Sequence, residues 1–366
     1  GALVTSREFR IVLDKSDARY TPFAIVEGTI SKDPQMRMMC AYRARTIAQG
    51  WEAWQKHRPR WFKDTQISQE DMARYSLILV GGPEANAVTA RLAGNLPLKI
   101  ESQAISLEGK SFASASAGVN MVWPHPLNKD RYVQIIAGNT PAGLYHAGRT
   151  PDDMDYVISD GRIAPDEDLA PGAFVALGAF DQSWRISEAL AAKPDVQRAT
   201  WPIRKAPVHA SPADAPGQTL WLSDALESRA EGSFTGMERD LDWKGRPMVI
   251  GGKTHKSGIA VTWWRANHSA DWDLGAKWKR LRATLGVSFD PKLDEQKKKD
   301  AVRAQFIVKG DGKELFRSNI LDAANPSQEL DIDVSNVKTL TLEVTSPIRW
   351  QSEIESLNFG DIRLER

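Results

Sequence analysis

Hydrophobic periodicity changes once along this chain, and the change falls in a proline-rich stretch. Before about residue 187, short apolar runs alternate with helical stripes. After about residue 217, apolar residues recur at every second position. The first pattern builds strands and helices in alternation, the second half-buried strands alone. Between them Pro194, Pro202, Pro207, Pro212 and Pro216 interrupt any regular element. At 366 residues the chain also exceeds what one core usually organises. The reading is an α/β domain over 1–186, a Pro/Ala-rich linker or strap over 187–217, and a β domain over 218–366. Trp201 inside the strap predicts partial packing in place of a free tether.

In the first half, 9–13 and 23–27 read as buried strands. Pro34 then opens a helix whose apolar stripe runs Met36, Met39, Cys40, Ile47, Trp51 and Trp54. Ser68 reads as a helix N-cap. Residues 76–80 are a continuous apolar run of the parallel-sheet kind, leading through Gly81-Gly82-Pro83-Glu84 into a helix over about 85–96. Residues 132–137 repeat the scheme, with Gly138-Asn139-Thr140-Pro141 as the turn. Strand, glycine turn and helix in repetition predict a three-layer α/β domain with a mostly parallel sheet.

In the second half, alternating or β-branched runs cover 248–250, 259–262, 281–289, 302–308, 330–334, 339–344 and 361–364. Gly251-Gly252, Gly310-Asp311-Gly312 and Ser335-Asn336 are turns between them. Many short strands with few helices predict an antiparallel β-sandwich of jelly-roll-like form. Nine of the 13 tryptophans lie from Trp184 onward. Most belong in the core, but flat indole faces are also what sugar rings stack on.

Charge and motifs narrow the function. Lys plus Arg is 48 and Asp plus Glu 47, a net charge of +1, so neither nucleic acid nor a membrane surface is an expected partner. The Lys297-Lys298-Lys299 run lies among Asp290, Asp294, Glu295 and Asp300 and reads as a solvated loop. Cys40 is the only cysteine, which rules out an intramolecular disulfide and a cysteine metal cluster. There is no Gly-x-Ser-x-Gly and no His-Glu-x-x-His. Gly251-Gly252-Lys253-Thr254 has Pro247 where a phosphate-binding loop needs glycine. The six histidines lack ligand spacing, so no cofactor and no catalytic residue is assigned, and no motif calls for Ca²⁺. Two alternatives stay open. Asp14, Glu27, Asp152, Asp153 and Asp155 could supply a carboxylate pair to an enzyme site in the α/β domain or between domains. A structural or adhesion module is the other. Gly81, Gly82, Glu84 and Asn86, between a strand's carboxyl end and a helix start, form a candidate anion- or ligand-binding turn.

The ordered motifs of the second half carry a resemblance. They run Leu220-Trp221-Leu222-Ser223-Asp224, Arg239-Asp240, Gly245-Arg246-Pro247-Met248-Val249-Ile250-Gly251-Gly252, Lys256-Ser257-Gly258-Ile259-Ala260-Val261, Phe306-Ile307-Val308-Lys309-Gly310-Asp311-Gly312 and Leu340-Thr341-Leu342-Glu343-Val344. This order resembles the NPCBM family of carbohydrate-binding modules carried by secreted glycoside hydrolases. The resemblance implies non-catalytic sugar binding, a carbohydrate partner, and a secreted, periplasmic or cell-surface location. Family members carry a His-Ala-x-Ser stretch after the Gly-Ile-x-Val strand. Here Thr262-Trp263-Trp264-Arg265-Ala266-Asn267-His268-Ser269 stands instead, implying a ligand other than the family's galactose-like sugars. The first half, through Trp123-Pro124-His125-Pro126 and Ala179-Phe180-Asp181-Gln182-Ser183-Trp184, resembles an accessory domain downstream of bacterial α/β-hydrolase, peptidase-like enzymes. That implies an upstream hydrolase domain as a partner.

Trp263, Trp264, Arg265 and His268 follow an apolar strand where alternation stops, and Trp350 and Glu353 follow another. Loops of a sandwich gather at its ends, so these six residues are the expected sugar contacts. The indoles would cover a pyranose face while Arg, His and Glu bond its hydroxyls.

Overall fold

The computed structural model describes residues 22–151, 154–165, 167, 170–262, 268–289, 294, 303–345 and 354–366. Two compact units emerge, one of residues 1–164 and 169–203, the other of 165–168 and 204–366.

The N-terminal unit is built on one seven-stranded sheet. Its strands are β1 (Phe23–Glu27), β2 (Arg60–Lys63), β3 (Ser76–Val80), β7 (Gly118–Pro124), β8 (Tyr132–Gly138), β9 (Tyr156–Ser159) and β10 (Ala176–Gly178), in the order β10-β9-β7-β8-β3-β1-β2. A separate antiparallel sheet holds β4 (Leu98–Glu101), β5 (Ala104–Leu107) and β6 (Lys110–Ala113). The helices are α1 (Pro34–Gln55), α2 (Gln69–Arg74), α3 (Ala87–Leu92) and α4 (Pro141–His146).

Strands β2, β1, β3 and β8 are parallel, as the apolar runs of β1, β3 and β8 predict; β2, Arg60-Trp61-Phe62-Lys63, is an edge strand without such a run. The pairings β8–β7, β7–β9 and β9–β10 are antiparallel, so the sheet is mixed and not mostly parallel. The reason is the loop between β7 and β8. It holds only residues 125–131, too few for the crossover that parallel neighbours require. The N-caps follow the sequence: Ser68 accepts from Asp71 N–H, and Asp33 accepts from Gln35 N–H ahead of Pro34.

Alternate residues of each strand face opposite ways. Ala24, Val26, Leu77 and Leu79 share a core cluster with Val88 and Leu92 of α3 and with Ile105 and Leu107. On the other face Phe23 meets Trp51 of α1, ring centres 4.7 Å apart. Helix α4 joins α1 there, through Arg43 Nη2 to Tyr145 O at 2.6 Å. The approach of α4 to the sheet is close. A Cβ on Gly118 would lie 1.9 Å from Gly143 O, one on Gly138 2.2 Å from Leu144 N, and one on Gly143 2.2 Å from Ala117 O. Only glycine fits at these three contacts.

The C-terminal unit is a β-sandwich of two antiparallel sheets. One holds β13 (Glu238–Arg239), β16 (Gly258–Val261), β23 (Ile354–Glu365), β18 (Arg280–Phe289) and β21 (Ser327–Asp333), with β11 (Thr219–Trp221) also on β23. The other runs β12 (Arg229–Glu231), β17 (His268–Asp273), β22 (Thr339–Thr345), β19 (Gln305–Gly310), β20 (Lys313–Arg317). A small hairpin pairs β14 (Met248–Ile250) with β15 (Lys253–His255). Trp272, Trp278, Phe306 and Phe359 anchor one core between the sheets. Buried ion pairs fix the ends: Arg239 Nη2 meets Glu227 Oε2 at 2.6 Å, and Arg204 Nε meets Glu238 Oε1 at 2.9 Å.

The proline-rich segment is packed on protein at several points, though residues 193–197 are exposed. In the N-terminal unit Arg198 Nη2 pairs with Asp160 Oδ1 at 2.5 Å, and Trp201 covers Ala164, Ala170 and Ala173. In the C-terminal unit Lys205 bridges Asp224 at 2.7 Å and Asp240 at 2.5 Å, while Pro212 O accepts from Trp278 Nε1.

Candidate functional site

The C-terminal unit has a cleft of about 720 Å³ beside the β14–β15 hairpin, which packs through Met248 and Ile250 on Ala260 apart from the core between the sheets. Four pieces of chain form it: the turn over residues 242–246, the β14–β15 hairpin, the end of β18, and Pro326 just ahead of β21. Each is held by identifiable bonds.

Asp242 is buried and organises its turn. Oδ1 accepts from Lys244 N and Arg246 N at 2.9 and 2.8 Å, and Oδ2 accepts from Arg246 Nε at 2.8 Å. The Arg246 guanidinium is therefore aimed by a carboxylate that cannot itself move. In the hairpin, Ile250 pairs with Lys253 and the two residues between are Gly251 (φ 56°) and Gly252 (φ 79°). Two positive φ values in a two-residue loop demand glycine or a close substitute.

A directed chain of hydrogen bonds ties the first three of these pieces together. Trp243 N–H donates to Ser356 Oγ at 3.2 Å, and Ser356 Oγ donates to Asn358 Oδ1 at 2.7 Å. Asn358 Nδ2 then donates to Ser288 Oγ at 2.7 Å, and Ser288 Oγ donates to Val249 O at 2.9 Å. Ser356 and Asn358 are buried, so their polar atoms are matched where water cannot reach. Arg246, Thr254 and Ser288 give the cleft polar groups, while Pro247, Val249, Val287 and Pro326 give it apolar walls. The half-exposed Trp243 lies next to Asp242 in the chain, with Lys244 Nζ 5.7 Å from its ring centre. Fixed donors beside apolar walls suit a ring that has hydroxyls on its edge and C–H groups on its face.

Residues 218–365 match the NPCBM/NEW2 domain family. The C-terminal unit carries an NPCBM/NEW2 domain. No curated protein matches the chain. Among solved structures the chain is similar to CBM51 from Clostridium perfringens GH95 in complex with methyl-galactose, at 17% identity and a TM-score of 0.34, covering 40% of this chain and 99% of that one. It is also similar to CBM51-2 in complex with GlcNAc and INT domains from Clostridium perfringens ZmpB, at 14% identity and a TM-score of 0.34, over 57% of this chain and 38% of that one. Tandem CBM51 modules of Sp3GH98 from Streptococcus pneumoniae align at 17% identity and a TM-score of 0.33, over 42% of this chain and 48% of that one. The chain thus spans less than two thirds of the last two.

Of the six expected sugar contacts, Trp263, Trp264, Arg265, Trp350 and Glu353 lie outside the described residues. His268 is described, and it differs from expectation. It is the first residue of β17, paired with Val344, and wholly buried, so it is no exposed loop side chain. Burial pushes its imidazole down to about 4, which keeps it neutral. The described ends of the two segments are close in register: Val261 faces Leu357 across β16–β23, and His268 faces Val344 across β17–β22. On β18, Ser288 of the cleft faces Ser356, two residues into β23.

In the candidate anion- or ligand-binding turn of the N-terminal unit, one of the four residues serves the fold. Asn86 is buried and committed: Nδ2 donates to Val26 O and Val80 O, while Oδ1 accepts from Val88 and Thr89 N–H. The next amide, Ala87 N, donates to Asp64 Oδ2 at 2.7 Å. Asp64 thus holds the first amide of α3. The carboxylates considered for an enzyme are also committed. Glu27 accepts from Trp61 Nε1 and pairs with Lys63, and Asp155 Oδ2 accepts from Phe180 N at 2.7 Å. Asp14, Asp152 and Asp153 lie outside the described residues.

Sequence reasoning missed Asp242, Trp243, Arg246, Ser288 and Asn358. A local signal existed only for the first three: an acid and an arginine four apart around Gly245, which takes φ 73°.

Proposed function

We propose that the NPCBM/NEW2 domain binds carbohydrate without cleaving it, at the cleft beside the β14–β15 hairpin. The observation that carries this is the cleft itself, where the Asp242-aimed Arg246 and the Ser288–Asn358 chain stand beside apolar walls. Trp263, Trp264, Arg265, Trp350 and Glu353 would add to that rim from the two segments anchored at Val261 and Val344, with His268 as a buried support. We read the N-terminal unit as a three-layer α/β accessory domain, the whole as the tail of a secreted bacterial hydrolase, and the sandwich as jelly-roll-like.

A glycan array probed with the full chain tests the binding, with methyl-galactose and N-acetylglucosamine as first ligands for titration calorimetry. Arg246→Ala and Trp263→Ala should each weaken binding per folded molecule at least tenfold, since a stacked indole is worth roughly 1–2 kcal/mol and a charged hydrogen bond somewhat more. The melting temperature should hold for Trp263→Ala and fall for Arg246→Ala, which leaves buried Asp242 without its ion-pair partner. An array without a single retained glycan, or variants that bind as the parent does, would refute the assignment.

A further inference from the structure

Strands β3 and β8 lie side by side and parallel, yet the chain leaves them in opposite directions. From β3 it passes to α3, on the face of Ala24 and Val26; from β8 it passes to α4, on the face of Phe23 and α1. Two connections that part in this way leave a crevice at the strands' carboxyl ends, which is where open α/β sheets take ligands. The crevice is present, with a volume of about 680 Å³, between residues 82–85 after β3 and 138–141 after β8.

We infer that this crevice binds a small organic cation, an ammonium or guanidinium group on a short apolar stem. Its lining holds three carboxylates, Asp33, Glu84 and Glu101, and no lysine, arginine or histidine. They come from three separate parts of the chain: the cap of α1, the turn after β3, and the end of β4. Glu84 and Glu101 are exposed and have no hydrogen-bond or ion-pair partner among the described residues. A cation entering the crevice meets these carboxylates and no positive side chain of the lining. Met36, Pro83, Ile100 and Pro141 supply apolar contact for a stem. A metal ion is the poorer fit, because no group of three ligating side chains is gathered among the described residues. An anion is poorer still, with Asp64 already on the Ala87 amide. This site is independent of the sugar cleft, since every residue in it belongs to the N-terminal unit.

The experiment is titration calorimetry of the full chain with 1,4-diaminobutane, its neutral isostere 1,4-butanediol, and CaCl₂. The diamine should bind, more weakly as salt rises, and the diol should not. Two exposed-site variants locate the binding. Glu84→Gln with Glu101→Gln should weaken it about tenfold or more at an unchanged melting temperature. Ser102→Trp, which keeps every charge but fills the crevice, should abolish it. The inference is overturned by no diamine binding, by equal binding of the diol, by tighter binding of Ca²⁺ than of the diamine, or by variants that bind as the parent does.

Discussion

The Ser288 hydroxyl accepts a hydrogen bond from Asn358 Nδ2 at 2.7 Å and gives its own proton to Val249 O at 2.9 Å, so one side chain joins β18, β23 and the β14 hairpin. Replacing Ser288 by alanine leaves the Asn358 amide and the Val249 carbonyl without that partner. The expected loss is about 1–3 kcal/mol, read by urea denaturation, with weaker sugar binding because the hairpin wall loosens. A variant as stable as the parent would show that water replaces the hydroxyl.

Arg239 is fully buried, with Nη1 donating to Ser223 O and Ala225 O and Nη2 paired with Glu227. Glu227→Gln should cost about 3–5 kcal/mol by leaving a buried guanidinium without its counter-charge. The double variant Arg239→Met with Glu227→Leu should recover much of that loss. Denaturation curves of the three proteins decide it, and a double variant no better than Glu227→Gln would contradict the reasoning.

The chain should lose stability in mild acid. His268 in the C-terminal unit and His125 in the N-terminal unit are both pushed down to about 4, chiefly by burial. Each is neutral in the fold where an unfolded histidine is already protonated. Their contribution is therefore present above pH 6.5 and is lost as pH falls through 4. Each is worth on the order of 2–3 kcal/mol across that window. Melting temperature against pH checks this, and His268→Gln should flatten the slope of the C-terminal unit's transition.

The boundary between the units is expected inside residues 187–217. Although much of that segment is packed, Val196 is 96% exposed. Brief digestion with proteinase K should cut first near Val196 and leave two resistant fragments. A first cut elsewhere would move the boundary.

Elements whose cause is local were legible. The apolar run of β3, the alternation of β18 and β22, the Ser68 cap and the Gly251-Gly252 turn are all stated by neighbouring residues. Pairings whose cause is distant were not. Strand β7 carries Asn120 and ends on Pro124, and its antiparallel setting follows from β8 and β9. His268 reads as loop because the preceding Trp pair breaks the alternation, yet β22 supplies a ladder for it. The cleft escaped for the same reason, since Ser288 and Asn358 stand 70 residues apart. Asn86 looked available beside two glycines, but its partners Val26 and Val80 come from two different strands.

The three glycines at the seam between α4 and the sheet, Gly143 on the helix and Gly118 and Gly138 on the strands, bear on how the N-terminal unit reaches its fold. With Gly118, Gly138 and Gly143 each within about two ångströms of needing a backbone atom's space, α4 has one seat on the sheet. A shift by one turn would bring a side chain onto that backbone, and hard-core overlap admits no compromise. Competing compact arrangements are thus removed by collision and not merely by weaker attraction, which narrows the search for the native register at this corner.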